Sequence, residues 1–447
     1  MPKDLPGFYF DTERNRYFPL SSRSFSASTP GSSTQQNTFG KRPCIEPETV
    51  DTATPHTVHR RNRLSSQTLD SRILNQSRDI HCSRLASTSR FDFCQTASFG
   101  DITEFCSATS EDGLTRRYIG DNKGWLYTCS VAEMYMWPPE VNLHSHSQVS
   151  SIRVSGQRCV ATCFGPVTKV AVQDLHVSGR TTLITLNQVH DVRASHLQNN
   201  ALILGAKGKA VYIPDIDVSG SVQHLSNRQN SDIFALDRDE NLVYTGARNG
   251  SITRHDLRVP SDKLSGQWLF QSRFAAAQNS AAPSSVLYLK LVKDCQLLVS
   301  QMDGKLCTYD TRFPVQNTPS RIFRGHRNSV TQKLGICIDP MHDFLFAAGE
   351  DRRIRGWSLR TGKPFLDDSP ATASITTSAS SSPYADLNQF RNPFKALFPS
   401  PIPTMQITEE GDGSMCLWAG NQQTLYQYFL GQCSKGYCIQ NAFLCIT

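Results

Sequence analysis

Two arginines in one local setting, Asp256-Leu257-Arg258 and Asp310-Thr311-Arg312, are the residues of this sequence whose type and spacing point to chemistry. Each guanidinium follows an aspartate by two positions at the end of a strand-like run. A guanidinium pairs through parallel N–H donors with a partner's carboxylates or backbone carbonyls, a geometry that lysine cannot copy. A single arginine so placed is more often an internal ion pair to a neighbouring aspartate; its recurrence is what favours binding. Arg360, after Trp357-Ser358-Leu359, is a third copy without the aspartate.

The sequence holds no catalytic constellation to set beside these arginines. There is no Gly-rich phosphate loop before Lys-Ser or Lys-Thr, no Gly-x-Ser-x-Gly and no His-Glu-x-x-His, so a non-enzyme is expected. Asp215 and Asp217, and Asp237 and Asp239, fall at expected turns, where aspartate serves the turn itself. His144 and His146 read as part of a polar loop. The 14 cysteines are scattered, several inside strand-like runs, and no Cys-x-x-Cys pair occurs. They read as small reduced core residues, with no metal and no cofactor expected.

The elements that must position the arginines are hairpins. Leu242 to Ala247 reads as a strand, Asn249-Gly250 as a tight turn and Ser251 to Leu257 as a second strand; Leu297 to Arg312 repeats the pattern with Asp303-Gly304 in the turn. The apolar residue opening each such second strand gives seven marks: Leu126, Val170, Val211, Ile252, Leu306, Ile354 and Leu425. Their separations are 44, 41, 41, 54, 48 and 71 residues, against roughly 40–45 for a four-stranded propeller blade. The longer gaps need insertions, expected as surface loops at Gln267 to Pro283 and at 367–403. The predicted fold is all-β: a seven-bladed β-propeller over 88–447, closed in a ring that leaves no open sheet edge. The alternating run Gly436 to Thr447 is a candidate for the closing strand. Because the turn between a blade's second and third strands lies on one face, the residue after the third strand emerges on the other. Arg258 and Arg312 therefore belong to neighbouring blades and one face.

Ahead of the propeller stands an aromatic motif at 1–20 with Phe8, Tyr9, Phe10, Tyr17 and Phe18, read as a small hairpin that either docks on its own propeller or serves a partner. A Ser, Thr and Pro-rich linker at 21–55 is expected to be disordered. A basic amphipathic helix is expected at 56–87, with a cluster from His59 to Arg63 that could serve nuclear import. The chain has 447 residues and a net charge of +7, room for acidic partners but too small an excess to argue for a dedicated nucleic-acid binder. With no run of eighteen apolar residues and no signal-peptide pattern at the start, no membrane association is expected, and the nucleus and cytoplasm are the expected locations.

Two resemblances carry these readings further. Gly325-His326, the turn residue Asp351 and Trp357 resemble the WD40 repeat, which implies that His326, Asp351 and Trp357 form a hydrogen-bonded scaffold set; Ser358 stands where the repeat has Asp. The two Asp-x-Arg stretches resemble the WD-x-Arg boxes of WD40-repeat substrate receptors of cullin-4 ubiquitin ligases, with His255 and Tyr309 in the tryptophan place and Thr311 where an aliphatic is common. The opening LPGFYFDTERNRYFPL is similar to the aromatic segment that begins a member of that group. The resemblance implies docking on the damage-specific DNA-binding protein 1 adaptor of the cullin-4 ligase through Asp256, Arg258, Asp310 and Arg312. It further implies a helix near Leu64 to Leu85 inserted into the adaptor, and an unidentified protein substrate recruited for ubiquitination. The rival readings are a general WD40 interaction scaffold and a nucleic-acid- or chromatin-associated propeller.

Overall fold

The computed structural model describes residues 8–11, 16–19 and 64–433, the last without 111–112, 114, 131–135, 177–179, 219–221, 226–229, 260–265, 271–283, 294, 315–317, 367–388 and 411–412. The chain divides into two units, Met1–Asn62 and Arg63–Thr447. In the first, Phe8–Asp11 pairs antiparallel with Arg16–Pro19, Phe8 opposite Pro19 and Asp11 opposite Arg16. The linker at 21–55 and the basic cluster at 59–63 lie outside the described residues.

The second unit is a seven-bladed β-propeller. With strands lettered a to d from the axis outwards, blade 1 is Ile102–Thr109, Thr115–Asp121, Trp125–Ser130 and Pro139–Asn142. Blades 2 to 5 follow in the same order, each with four strands. All seven sequence marks fall on strand c of successive blades, from Leu126 in Trp125–Ser130 to Leu425 in Thr424–Phe429. The hairpins are local products of their turns: Gly250 and Gly304 take φ of 77° and 84°, a conformation that a Cβ disfavours.

Blades meet through a recurring contact. Gly120, Gly205, Gly246 and Gly420, near the end of strand b, lie against Val149, Ile233, Val286 and Ile102, the apolar residues at the start of strand a in the following blade. A Cβ on Gly246 would stand 2.5 Å from Val286 Cγ1, so a side chain is traded for close approach of a β-branched neighbour. In blades 1, 2, 4 and 5 the register also shifts just after this strand-a residue, and such a bulge locally increases strand twist.

Several expectations are corrected. Ring closure is made by Phe91–Gln95, which pairs with Thr424–Phe429 as the outer strand of blade 7; Gly436 to Thr447 lie outside the described residues. The expected loop from Gln267 begins as strand d of blade 4, Gln267–Phe270, with Leu269 and Phe270 buried. Within the expected insertion at 367–403, Phe390, Phe394, Ala396, Phe398 and Ile402 are core residues packed with Phe346, Tyr426 and Tyr428; the low-complexity part at 367–388 lies outside the described residues. Asp237 is not in a turn but buried in strand Ile233–Asp239 of blade 4, where Lys290 pairs with it at 3.0 Å.

The helix spans Leu64–Ala86, and 56–63 lie outside the described residues. It does not bury one amphipathic stripe. Cys82, Leu85 and Ala86 in its last turn are buried, the first two in the blade 6 and 7 core, while Ile73, Leu74 and Ile80 are exposed. Cys129, Cys159, Cys163, Cys307, Cys337 and Cys416 are buried and joined in no disulfide.

Candidate functional site

Strand c of blade 4 stops at Asp256 because its side chain turns the chain. Asp256 Oδ1 accepts the Arg258 N–H at 3.0 Å, while the Leu257 N–H reaches back to the Asn241 carbonyl at 2.8 Å. Asp310 repeats both contacts in blade 5, with the Arg312 N–H at 3.0 Å and the Thr311 N–H on Cys295 at 2.8 Å. So do Asp174 in blade 2, holding the His176 N–H at 2.9 Å, and Asp215 in blade 3, holding the Asp217 N–H at 3.0 Å. Four consecutive blades thus end strand c in the same Asx turn. The aspartate belongs to the fold, and what distinguishes blades 4 and 5 is the arginine.

Each arginine folds back on its own aspartate. Arg258 Nε donates to Asp256 Oδ1 at 2.9 Å and its terminal nitrogen to Oδ2 at 2.7 Å; Arg312 grips Asp310 at 3.0 and 2.7 Å. The hydrogen bonds from Arg258 lower the Asp256 pKa to about 2, and those from Arg312 lower that of Asp310. The two arginine side chains remain 69% and 63% exposed, so each fork fixes the direction of a cation whose outer edge stays open to a partner. In blade 2 the turn carboxylate is consumed instead, Arg158 holding Asp174 at 3.0 Å, and in blade 3 the place of the arginine is taken by Asp217, which the same Arg158 holds at 2.9 Å.

Arg360 in blade 6 lacks a local aspartate and takes one from elsewhere. Its Nε donates to Asp343 Oδ1 at 2.7 Å, and Lys293 of blade 5 reaches the same carboxylate at 3.2 Å. Burial raises the Asp343 pKa, but the hydrogen bonds from Arg360 and Lys293 outweigh it and the net shift is downward. Three consecutive blades therefore present a carboxylate-held arginine on one face. Phe313, 56% exposed with the Arg312 guanidinium 5.6 Å from its ring centre, and Met341, 75% exposed in the a–b turn of blade 6, add apolar surface to that face. Interface cores favour aromatic, Met and Arg side chains. The sequence reading missed both residues, because an isolated apolar residue after a strand has no periodicity to mark it.

His255 and Tyr309, in the tryptophan place of the boxes, are buried core residues. Tyr309 packs against Phe270 with ring centres 4.7 Å apart and tilted by 33°, and accepts a hydrogen bond from Lys305 at 3.1 Å. His255 lies under Gly266, where a Cβ would meet its ring at 2.5 Å, and burial lowers its pKa to about 4. In blade 6, Trp357 donates to the Arg324 carbonyl at 2.9 Å and His326 bonds the Gly304 and Ala348 carbonyls, each at 3.1 Å. Asp351 is held by Arg355 at 3.0 and 2.6 Å. The three scaffold residues thus share a blade corner, with their direct bonds going to backbone and to Arg355 rather than to one another.

In the N-terminal unit, the register sets Phe10 opposite Tyr17 and Tyr9 opposite Phe18, so the aromatic motif is a hairpin. Among the described residues, no three His, Cys, Asp or Glu side chains form a group that could hold a metal ion, and no helix is long and apolar enough to cross a membrane.

No family model matches the sequence. An uncharacterized WD repeat-containing protein of Caenorhabditis elegans is 29% identical over 137 residues, 31% of this chain and 23% of that protein. WD repeat-containing protein 21 of Schizosaccharomyces pombe is 27% identical over 146 residues, 32% of each chain. The matches span about a quarter to a third of these relatives' own length. A solved structure of the computationally designed protein Ika8 is 15% identical, with a TM-score of 0.44 over 75% of this chain and 98% of that one; at that score the likeness carries no argument. Seven blades and similarity to WD repeat-containing proteins agree on a WD40-type propeller.

Proposed function

We propose that this propeller is the substrate-recognition subunit of a cullin-4 ubiquitin ligase, docking on the damage-specific DNA-binding protein 1 adaptor by the face that carries Arg258 and Arg312. The observation that carries this reading is the identical fork of Arg258 on Asp256 and Arg312 on Asp310 in neighbouring blades, each pointing an exposed guanidinium from one face. Held cations lose little further freedom on binding and so suit a partner rich in carboxylates and carbonyl oxygens. The resemblance of both stretches to cullin-4 receptor boxes supports it. So does the likeness of residues 4–20 to the opening of DDB- and cullin-4-associated factor 4, a WD-repeat protein also called WD repeat 21. The coarser reading, a protein-interaction scaffold, rests on the WD-repeat similarity alone.

The test is affinity capture with wild type beside an Arg258→Ala, Arg312→Ala double variant of matched thermal stability. Wild type retrieves adaptor and cullin-4, and the double variant loses most of both. Adaptor missing from wild-type captures sinks the proposal; equal retrieval moves the contact away from these arginines. A nuclear as well as cytoplasmic location goes with this reading, drawn from the basic cluster at 59–63. Imaging wild type beside an Arg60→Ala, Arg61→Ala, Arg63→Ala variant tests it, unchanged nuclear signal being the adverse result.

A further inference from the structure

The axis of the ring is a cavity of about 460 Å³ lined by the a strands, within the size range of small-ligand sites. Its walls carry four cations, Arg153, Arg193, Lys290 and Lys333, against two carboxylates, Glu104 and Asp237. Both carboxylates are spoken for: Glu104 pairs with Lys333 at 2.9 Å and Asp237 with Lys290 at 3.0 Å. That leaves the two arginines, neither with a carboxylate in ion-pair range among the described residues.

Both arginines are held by neutral groups. Arg153 donates through Nε to the Ser195 carbonyl and through a terminal nitrogen to the Ile152 carbonyl, both at 3.0 Å. Arg193, just before strand a of blade 3 and so at the mouth opposite the Arg258 face, lies between the rings of Phe164 and Phe234, 4.7 and 4.6 Å from their centres. Its guanidinium also donates to Gln332 Oε1 at 2.7 Å. Carbonyls and ring faces orient a guanidinium without cancelling its charge, and a narrow channel in protein concentrates the resulting field. Burial lowers the Arg193 pKa against the opposing charges of Asp232 and Asp191, which act on it without an ion pair. His196, kept neutral by burial with a pKa near 3, lines the same cavity with a buried Nδ1 that has no hydrogen-bond partner.

We propose that the axial channel binds a compact oxyanion, a phosphate or carboxylate group, which enters past Arg193 and is held by Arg153. The site is independent of the adaptor reading, since it uses the opposite mouth and none of the Asp-x-Arg turns. The oxyanion can come from a free small molecule or from an acidic segment of a protein lying across the mouth.

Isothermal titration of the full chain at low salt with sodium pyrophosphate, and separately with an acetylated and amidated triglutamate peptide, tests both sources. At least one binds with 1:1 stoichiometry; Arg153→Gln and Arg193→Gln each weaken it about tenfold or more, and Arg258→Ala leaves it unchanged. Binding of pyrophosphate alone assigns a free anion, and binding of triglutamate alone an acidic segment. Failure of both probes on wild type, equal binding by both glutamine variants, or an equal loss in Arg258→Ala overturns the proposal. Should a glutamine variant fail to fold, hydrogen exchange on wild type decides. The bound probe must slow exchange in Val149–Ser155 and Ala194–Gln198, and protection confined to the Asp256 and Asp310 turns refutes the site.

Discussion

Arg360 donates to Asp343 at 2.7 Å across the bottom of blade 6, rebuilding with a carboxylate from the a–b turn the clamp that Asp256 and Asp310 supply two residues away. Because Lys293 shares that carboxylate at 3.2 Å, Arg360 is the least committed of the three. Arg360→Ala is expected to weaken adaptor binding by about threefold or less, against about tenfold or more for Arg258→Ala with Arg312→Ala, in line with a few arginines dominating an interface. Competition binding with the purified adaptor measures both, and a larger loss at Arg360 would place the centre of the interface on blade 6.

Asp256→Asn with Asp310→Asn separates holding an arginine from merely having one. The Asx turns survive, since an asparagine oxygen still accepts the backbone N–H, but the ionic fork is lost. Exposed pairs of this kind contribute little to stability, so the unfolding midpoint should hardly move while adaptor affinity falls severalfold. Unchanged affinity would show that the forks are ornaments of the turn.

The two forks were legible in the sequence because each is an i, i+2 relationship that one turn creates. Arg158 bridging Asp174 and Asp217, and Arg360 on Asp343, were not, since those partners meet only when strands and blades assemble. The same division runs through the fold. All seven strand-c marks landed where turn chemistry and alternation are local, whereas Phe390 to Ile402 looked like a loop because its apolar residues follow no strand period and fill a gap between blades 6 and 7. Asp237 reads as a turn residue from its place between expected strands, yet it lies inside Ile233–Asp239, and its partner Lys290 is on the next blade. Nothing local separates Phe91–Gln95 from other alternating runs as the closing strand; closure is a property of the ring.

Buried histidines set the acid limit of the propeller. Burial lowers the pKa of His196 to about 3 and of His255 to about 4. An unfolded chain takes up these protons near pH 6.5 while the folded one refuses them, so this stability is present above pH 6.5 and is lost as pH falls towards the folded pKa. His255 alone should account for about 2–3 kcal/mol by pH 4. The unfolding midpoint of wild type is expected to drop between pH 6.5 and 4, and His255→Leu should flatten that drop; parallel curves for the two proteins would contradict the assignment.

Gly246→Ala should destabilise by about 1–3 kcal/mol, the usual cost of overpacking, since the new methyl would stand 2.5 Å from Val286 Cγ1 and 3.0 Å from Leu289 Cδ1. Val286→Ala also destabilises alone, by opening a cavity. Combined, the two changes should cost less than their sum, because the alanine methyl takes space that valine vacates. A double-mutant cycle by urea unfolding reads the coupling, and strict additivity would mean that the contact between blades 4 and 5 is slack.

Truncation distinguishes ring closure from the N-terminal unit. Removing residues 1–62 takes away the first of the two units and leaves Phe91–Gln95 paired along Thr424–Phe429. The midpoint of thermal unfolding should then move little. Removing residues 1–95 takes away the helix with its buried Cys82 and Leu85 and strips the outer strand from blade 7, exposing the edge of Thr424–Phe429 and part of the core around Tyr426 and Tyr428. An exposed strand edge is a template for association, so this shorter chain should lose its single cooperative transition and aggregate at concentrations where the longer one is monomeric. Adding a synthetic peptide of residues 88–97 in excess should restore part of the lost stability by re-pairing the edge. Cooperative, monomeric unfolding of the 96–447 chain would show that the ring closes without that strand.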